Sequence, residues 1–413
     1  MRRKLSTNVV HKLSLKVPDS VSLVVGLFWG GLAVLAWVHV LYPGFLWLLR
    51  AVGLRRAVRW GGIEPRVTLI VSAFNEARVI GAKLENCLQL DYPRDRLEVI
   101  VVSDASTDGT DEVVSTVGPP VRLLRMPSRG GKTVGLNAAL AVASGDIVVF
   151  SDANAMYECN ALRALVRNFA DPRVGAVTGE SRYRIGADDA STESEGTYWS
   201  YEIWIKGLES NLGSVVGGDG AIYAIRRELY RELGPGDLSD FVNPLQIVAQ
   251  GYRNIYEPEA VSWEGGAEGY DAEFRRKVRI VNRAWRATFK MKALLNPFRS
   301  GFFALQFLSH KVLRWLVPWF MLLVLVTNAM LATRAPLYTA LLAGQLCFYG
   351  LALVGRQLAG RGGRLARLMA IPYYFCLVNL ASLVALVEVV RGKEYRTWSS
   401  SRPEAPSLGS PHV

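Results

Sequence analysis

The chain has only four histidines, His11, His39, His310 and His412, and none lies between residues 60 and 300. If that stretch holds a reaction centre, its base is not an imidazole and no histidine there binds metal. Carboxylates must then carry the acid–base work. Cysteine is equally sparse. Cys87, Cys159, Cys347 and Cys376 are scattered without a CxxC pair. That argues against a disulfide framework or a zinc site and fits a reducing compartment. No GxxxxGK[ST] loop, zinc-finger pattern or recognition helix occurs, so nothing supports a nucleic-acid partner. Charged residues are missing altogether from Val21 to Leu49.

The 413 residues are half apolar, and the formal net charge is +12. The apolar excess sits at the two ends. The middle, residues 66–265, reads as one globular domain long enough to bury a good core. With apolar spans present, the basic balance fits an anionic membrane surface, making membrane lipids a partner.

About 20 apolar residues cross a bilayer. After a basic tail of residues 1–20, residues 21–50 are long enough to do so. Tyr42-Pro43-Gly44 is expected to break this run, leaving a span of about Val21–Leu41 and a short interfacial piece. The run is too long for a signal-peptide core and no A-x-A site follows, so it reads as a retained anchor. Within residues 304–390 three apolar stretches occur, at about 314–333, 336–355 and 369–390, followed by a tail, 391–413. Arg356, Arg361, Arg364 and Arg367 between the last two place that loop, and with it the middle domain, in the cytosol. The chain then reads as an integral protein of a plasma membrane, the inner membrane in a bacterium. The termini resist this scheme. A single N-terminal span puts Arg2, Arg3, Lys4, Lys12 and Lys16 outside, and three C-terminal spans do the same for Arg391, Lys393 and Arg396. One segment is therefore re-entrant or interfacial. Residues 266–303 mix cations such as Arg275, Arg279 and Arg283 with Val278, Trp285, Phe289 and Phe298. This suits an amphipathic interfacial helix, the alternative being a solvated basic helix.

The middle alternates short β-branched runs with helical stretches. Val67–Ser72, Leu97–Ser103, Val121–Arg125 and Ile147–Ser151 read as strands; Glu76–Leu90 and Lys132–Ala143 read as helices. Such alternation predicts a mostly parallel, Rossmann-like α/β sheet with right-handed crossovers. Ligands bind such sheets beyond the carboxyl ends of the strands. There the sequence places Asn75 and Glu76, then Asp104 and Asp108, then Asp152 and Asn154. Three acid-bearing loops on one edge suit a divalent cation or a shared proton. Each also has a plainer reading: Asp108 and Ser106 as helix caps, Asp152-Ala153-Asn154 as turn chemistry. Arg129-Gly130-Gly131-Lys132 opens a helix and suits an anion. Trp199, Trp204 and Trp285 could stack on sugars, but at helical spacing they read as core or interface anchors.

VTLIVSAFNEARVI, VIVVSDASTDGT, RGGKTVGLNAAL and DIVVFSDANAMY, in that order, resemble the family 2 glycosyltransferases with a GT-A fold. The likeness continues through Gly217-Gly218-Asp219-Gly220-Ala221 and LSDFVNPLQIVAQGYRNIYEPEA and covers about residues 66–290, with flanking transmembrane α-helices as in polysaccharide synthases. The resemblance implies a GT-A domain and a nucleotide-sugar donor, by family habit a uridine diphosphate sugar. It implies a lipid-linked or polysaccharide acceptor, with polysaccharide export partners. Asn75, Glu76 and Asp104 would border the nucleoside, Asp104 bonding the base, and Lys132 would lie near the nucleotide. Asp152, with Asn154, would bind Mg²⁺ or Mn²⁺, and Asp240 would be the general base of an inverting transfer. Gly218 and Asp219 are candidates for the acceptor side, with a plain turn as the equal alternative for Asp219. Departures are Asn154 in a DxD position, Ser239 in place of a glutamate before Asp240, and a QxxRW-type motif that is not intact. The last favours single-sugar transfer or a different grip on the acceptor. A non-catalytic nucleotide-binding subunit of a polysaccharide assembly complex is the rival. A nucleotidyltransferase lacks its triphosphate loop here.

Overall fold

A computed structural model describes residues 19–184, 190–265, 269–359 and 363–397. Arg2, Arg3, Lys4, Lys12, Lys16, His11, Arg361 and His412 lie outside the described residues. Eight strands form one sheet: β1 Val67–Ala73, β2 Leu97–Ser103, β3 Val121–Arg125, β4 Ile147–Asp152, β5 Met156–Tyr157, β6 Val174–Arg184, β7 Tyr223–Arg226 and β8 Arg253–Gly265. Their order is β3-β2-β1-β4-β7-β6-β8-β5. β1 pairs in parallel with β2 and β4, and β2 with β3. β7 runs antiparallel to both β4 and β6, so β6 and its parallel partner β8 point the same way as β1 to β4. The carboxyl ends of β1, β2 and β4 therefore share one edge of the sheet.

Every residue of β1 is buried because helices cover both faces, which is why the strand is a continuous apolar run rather than an alternating one. Val67, Leu69 and Val71 pack with Ile80, Leu84 and Leu165 on one face. Ile70 joins Ile100, Phe150 and Leu140 on the other. This second cluster extends into Trp285 of helix Gly269–Lys290 and into Phe303, Phe307, Ala381 and Ala385 of the apolar C-terminal helices. Catalytic-domain and membrane-type helices thus share a core. Val278 and Trp285 are buried in it, whereas Phe289 and Phe298 are exposed.

Among the described residues four helices are long and apolar enough to cross a membrane: Val21–Ala51, Phe302–Leu331, Pro336–Gln357 and Arg364–Val390. The expected break at Tyr42-Pro43-Gly44 is absent. The helix runs on to Ala51 through a π-helical turn, Trp37–Leu41. Pro43 has no N–H to give the carbonyl four residues before it, and a π turn relieves the clash. That carbonyl, on His39, instead accepts a 2.8 Å hydrogen bond from the Tyr201 hydroxyl.

Three successive crossings would separate Lys393 and Arg396 from the sheet domain, the conflict behind the expectation of a re-entrant or interfacial segment. Helix Arg364–Val390 lies along helix Gly269–Lys290, with the Tyr374 hydroxyl 3.3 Å from Glu273. Asn282 and Arg286 donate to the Lys393 carbonyl at 3.2 and 2.6 Å. The last basic residues therefore sit on the catalytic side.

Tyr201→Phe should strip the His39 carbonyl of its donor and cost about 1–2 kcal/mol. Thermal unfolding in detergent should show a lower Tm, largely recovered by adding Pro43→Ala. An unchanged Tm would deny that this bond carries the helix through the proline.

Candidate active site

At the ends of β1 and β2 the backbone takes up left-handed conformations at Asn75 (φ 53°) and Ala105 (φ 57°). Asparagine tolerates this; alanine does so at a cost, and such strain clusters at functional sites. The two loops hold each other. Asn75 accepts from the Thr107 N–H at 2.9 Å and donates its own N–H to Ser106 Oγ at 3.1 Å. Glu76 N–H reaches Thr110 Oγ1 at 2.9 Å. Asp108 accepts from Ala77 and Thr110 N–H and from the Thr110 hydroxyl. Against partial burial, these bonds hold its carboxyl below the ordinary value. Asp108 is thus a brace at two helix starts, while the N-cap positions themselves are held by Glu76 and Gly109.

Asp104 is buried, and its two oxygens accept the N–H groups of Gly130 and Gly131 at 2.8 and 2.9 Å. It ties the end of β2 to the glycine loop, and a base contact would have to use its remaining lone pairs. Gly131 has φ 90° and lies so close to the Arg396 carbonyl that a Cβ there would stand 2.5 Å from the oxygen. The guanidinium of Arg129 lies 3.9 Å over the Phe74 ring. The loop delivers Lys132, whose ammonium pairs with Asp152 Oδ1 at 2.5 Å.

Beneath Asp152, the Lys83 ammonium is fully buried. It donates to the Ala155 carbonyl and lies 4.1 Å over the Tyr157 ring. Burial pulls its pKa down. Lys83 sits three residues after Ile80 and four before Cys87, on the helix's apolar stripe, and that placement was the signal available in the sequence.

From the other side comes helix Ser239–Ala249, with Asp240 in its first turn. The Gly217–Gly220 turn packs directly on it. The Gly218 N–H donates to the Asp240 carbonyl at 2.6 Å, and a Cβ on Gly220 would lie 3.1 Å from Asp240 Oδ2. Burial raises the Asp240 carboxyl above its ordinary value. The opposing charges of Lys132 and Arg283 and the like charges of Asp219 and Asp152 all act on it. Asp104, Lys132, Asp152, Asp219 and Asp240 are thereby linked in one neighbourhood. Arg283, unassigned in the sequence beyond a basic helix, enters it from helix Gly269–Lys290, where it donates to the Gly236 and Asp237 carbonyls.

Asp219 accepts from the N–H and hydroxyl of Ser181 at 3.1 and 2.7 Å, pinning the glycine turn to β6. Trp199 donates its indole N–H to the Ser181 carbonyl, and Trp285 is core, stacked 5.6 Å from Phe289.

Among the described residues no group of three or more His, Cys, Asp or Glu side chains is placed to hold a metal. The side-chain oxygen of Asn154 is nevertheless buried without a hydrogen-bond partner. An orphaned amide oxygen two residues from a carboxylate fits a hard cation whose other ligands come from a diphosphate and water.

The family model described as Glycosyl transferase family 2 matches residues 68–234. The chain carries a family 2 glycosyltransferase domain. It is 29% identical over 238 residues to a probable glycosyltransferase, YdaM, of Bacillus subtilis, covering 52% of this chain and 54% of that protein. It is 27% identical over 220 residues to a poly-β-1,6-N-acetyl-D-glucosamine synthase of Staphylococcus aureus, covering 52% of this chain and 53% of the synthase. A β-monoglucosyldiacylglycerol synthase of Synechocystis is 41% identical over 118 residues, 27% of this chain and 25% of the synthase. The chain spans about half the length of the first two relatives. A mannosyltransferase of Pyrobaculum calidifontis, solved with GDP-Man and Mn²⁺, superposes with a TM-score of 0.68 at 28% identity. It matches over 89% of this chain and 100% of its own. The GT-A fold and, among the described residues, the four membrane-length helices agree with the sequence reading.

Gly220→Ala should press a methyl group against Asp240 Oδ2 and displace it. Nucleotide release at saturating donor should fall at least about tenfold with Tm little changed. Full turnover in a folded Gly220→Ala protein would show that the close approach is dispensable.

Proposed function

We propose that the protein is a membrane-embedded, metal-dependent, inverting glycosyltransferase. It moves one sugar from a nucleoside diphosphate sugar to a lipid-linked or polysaccharide acceptor at the cytosolic face. The observation that carries this reading is the meeting of Asp240, Lys132 and Asp152 around the carboxyl edge of the sheet. Asp240 takes the proton from the acceptor hydroxyl as that oxygen attacks the sugar carbon. Lys132 turns from Asp152 toward the departing diphosphate, whose negative charge it stabilises. Asp104, by accepting the Gly130 and Gly131 N–H groups, holds the glycine loop and so positions Lys132 for the donor. A divalent cation held by Asp152 and Asn154 would neutralise the leaving group. Arg283 stays beside Asp240 and limits the rise of its pKa.

Uridine diphosphate sugars are the first donors to try, and the donor bound by the archaeal mannosyltransferase makes GDP-mannose the second. The acceptor classes follow the named activities of the staphylococcal and cyanobacterial relatives. Purified protein in detergent, given both donors with Mn²⁺ or Mg²⁺ and a membrane lipid extract, should release nucleoside diphosphate. Donor binding without release, under either metal, would instead favour a non-catalytic subunit of an assembly complex.

Asp240→Asn should abolish transfer while donor binding persists. The base works ionised, so kcat/KM should fall as pH drops through the raised Asp240 pKa. The acid limb should lie above the ordinary aspartate value of about 3.9. Because the folded state holds this proton more tightly than the unfolded chain, ionised Asp240 costs stability as pH rises past its unfolded value. The asparagine variant should therefore be at least as stable at pH 7. An active Asp240→Asn enzyme removes this residue from the mechanism.

A further inference from the structure

A second basic site lies on the opposite edge of the sheet. Arg173 immediately precedes β6 and Arg253 opens β8. Both strands run in the direction of β4, so these residues mark the amino edge, away from Asp152 and Asp240. Between them and the linker that follows the N-terminal membrane helix is a cavity of about 500 Å³, lined by Arg55, Arg56, Ala57, Arg59, Arg173, Gly251 and Arg253.

The site is built rather than incidental. Arg253 is only 7% exposed. Its guanidinium donates to the Gly213 and Ser210 carbonyls at 3.0 and 2.8 Å, at the end of helix Ala190–Leu212. Arg173 and Arg253 both reach the Ala57 carbonyl, at 3.2 and 3.5 Å, and draw the linker over the cavity. The one carboxylate close by, Asp171, is already committed to Arg173 and to the Arg59 N–H. Burial first, then the nearby Arg173 and Arg56, lower the pKa of Arg253 against the opposing pull of Asp171. Among the described residues the guanidinium groups of Arg55, Arg56 and Arg59 have no carboxylate within ion-pair distance. Five guanidinium groups against one engaged carboxylate call for an anion with several oxygens.

The surroundings indicate where that anion comes from. Arg55 begins four residues beyond the end of the membrane helix at Ala51. In the same linker Val52, Leu54 and Trp60 are 65%, 56% and 66% exposed. Exposed apolar and aromatic side chains alternating with arginines are what a bilayer interface accepts and bulk water does not.

We infer that the cleft formed by Arg55, Arg56, Arg59, Arg173 and Arg253 binds the phosphate group of an anionic lipid and seats the amino edge of the catalytic domain on the membrane. The site is separate from the donor pocket and does not depend on the sugar transferred.

The test uses the full chain in mild detergent, wild type against Arg55→Gln/Arg56→Gln/Arg59→Gln. These three exposed side chains brace nothing, so the variant should fold, and its nucleotide release in detergent should match wild type. Binding is read by native mass spectrometry and thermal shift with phosphatidylglycerol, with phosphatidylcholine and with inorganic pyrophosphate. Wild type should bind phosphatidylglycerol roughly a hundredfold more tightly than the variant at low salt. The difference should shrink as ionic strength rises, and phosphatidylcholine should not distinguish the two proteins. Equal phosphatidylglycerol binding by both proteins would overturn the site. Arginine-dependent binding of pyrophosphate, with no response to phosphatidylglycerol, would overturn the lipid as its source.

Discussion

Carboxylates brought together repel, and most of the architecture around the site is arranged to tolerate that repulsion. Asp152 and Asp219 both act on Asp240. Each has a different remedy. Asp219 is neutralised locally by the N–H and hydroxyl of Ser181, and Asp152 by the Lys132 ammonium. Among the described residues no hydrogen-bond donor or cation pairs directly with the Asp240 carboxyl; it relies on the more distant charges of Lys132 and Arg283 and on a raised affinity for its proton. A carboxyl left in this condition, near the charge of Lys132, is suited to proton abstraction.

The loops that deliver these groups are held by hydrogen bonds rather than by apolar packing. Asp104 to the two glycine amides, Asn75 to Thr107 and Asp108 to two helix starts form a chain running from β1 to the helix that begins at Lys132. Each link satisfies backbone N–H groups that a helix start would otherwise leave open. With those amides engaged inside the protein, a donor meets loops that are already aligned.

Much of this was legible in the sequence. The strand runs at Leu97–Ser103 and Val121–Arg125 coincide with the observed elements; the first is a buried inner strand that announces itself as an apolar β-branched run, the second a half-exposed edge strand. The acid-bearing loops after β1, β2 and β4 follow from topology. What could not be read was long-range pairing. Ser181 meets Asp219 across 38 positions, and Arg283 meets Asp240 from a helix whose charge pattern looked like a membrane surface. The proline at 43 was misleading for a related reason: its effect was set by Tyr201, 158 positions away, whose hydroxyl keeps the helix continuous.

The second core cluster has no seam between enzyme and anchor. Val216, Phe241 and Leu245 lie in the same packed mass as Phe303, Phe307, Ala381 and Ala385. A chain cut after Gly265 would present that face bare to water, a contiguous greasy patch prone to aggregation. The hydrophobic helices are thus masonry as well as tether, and removing them to obtain a soluble enzyme would take down a wall of the catalytic house.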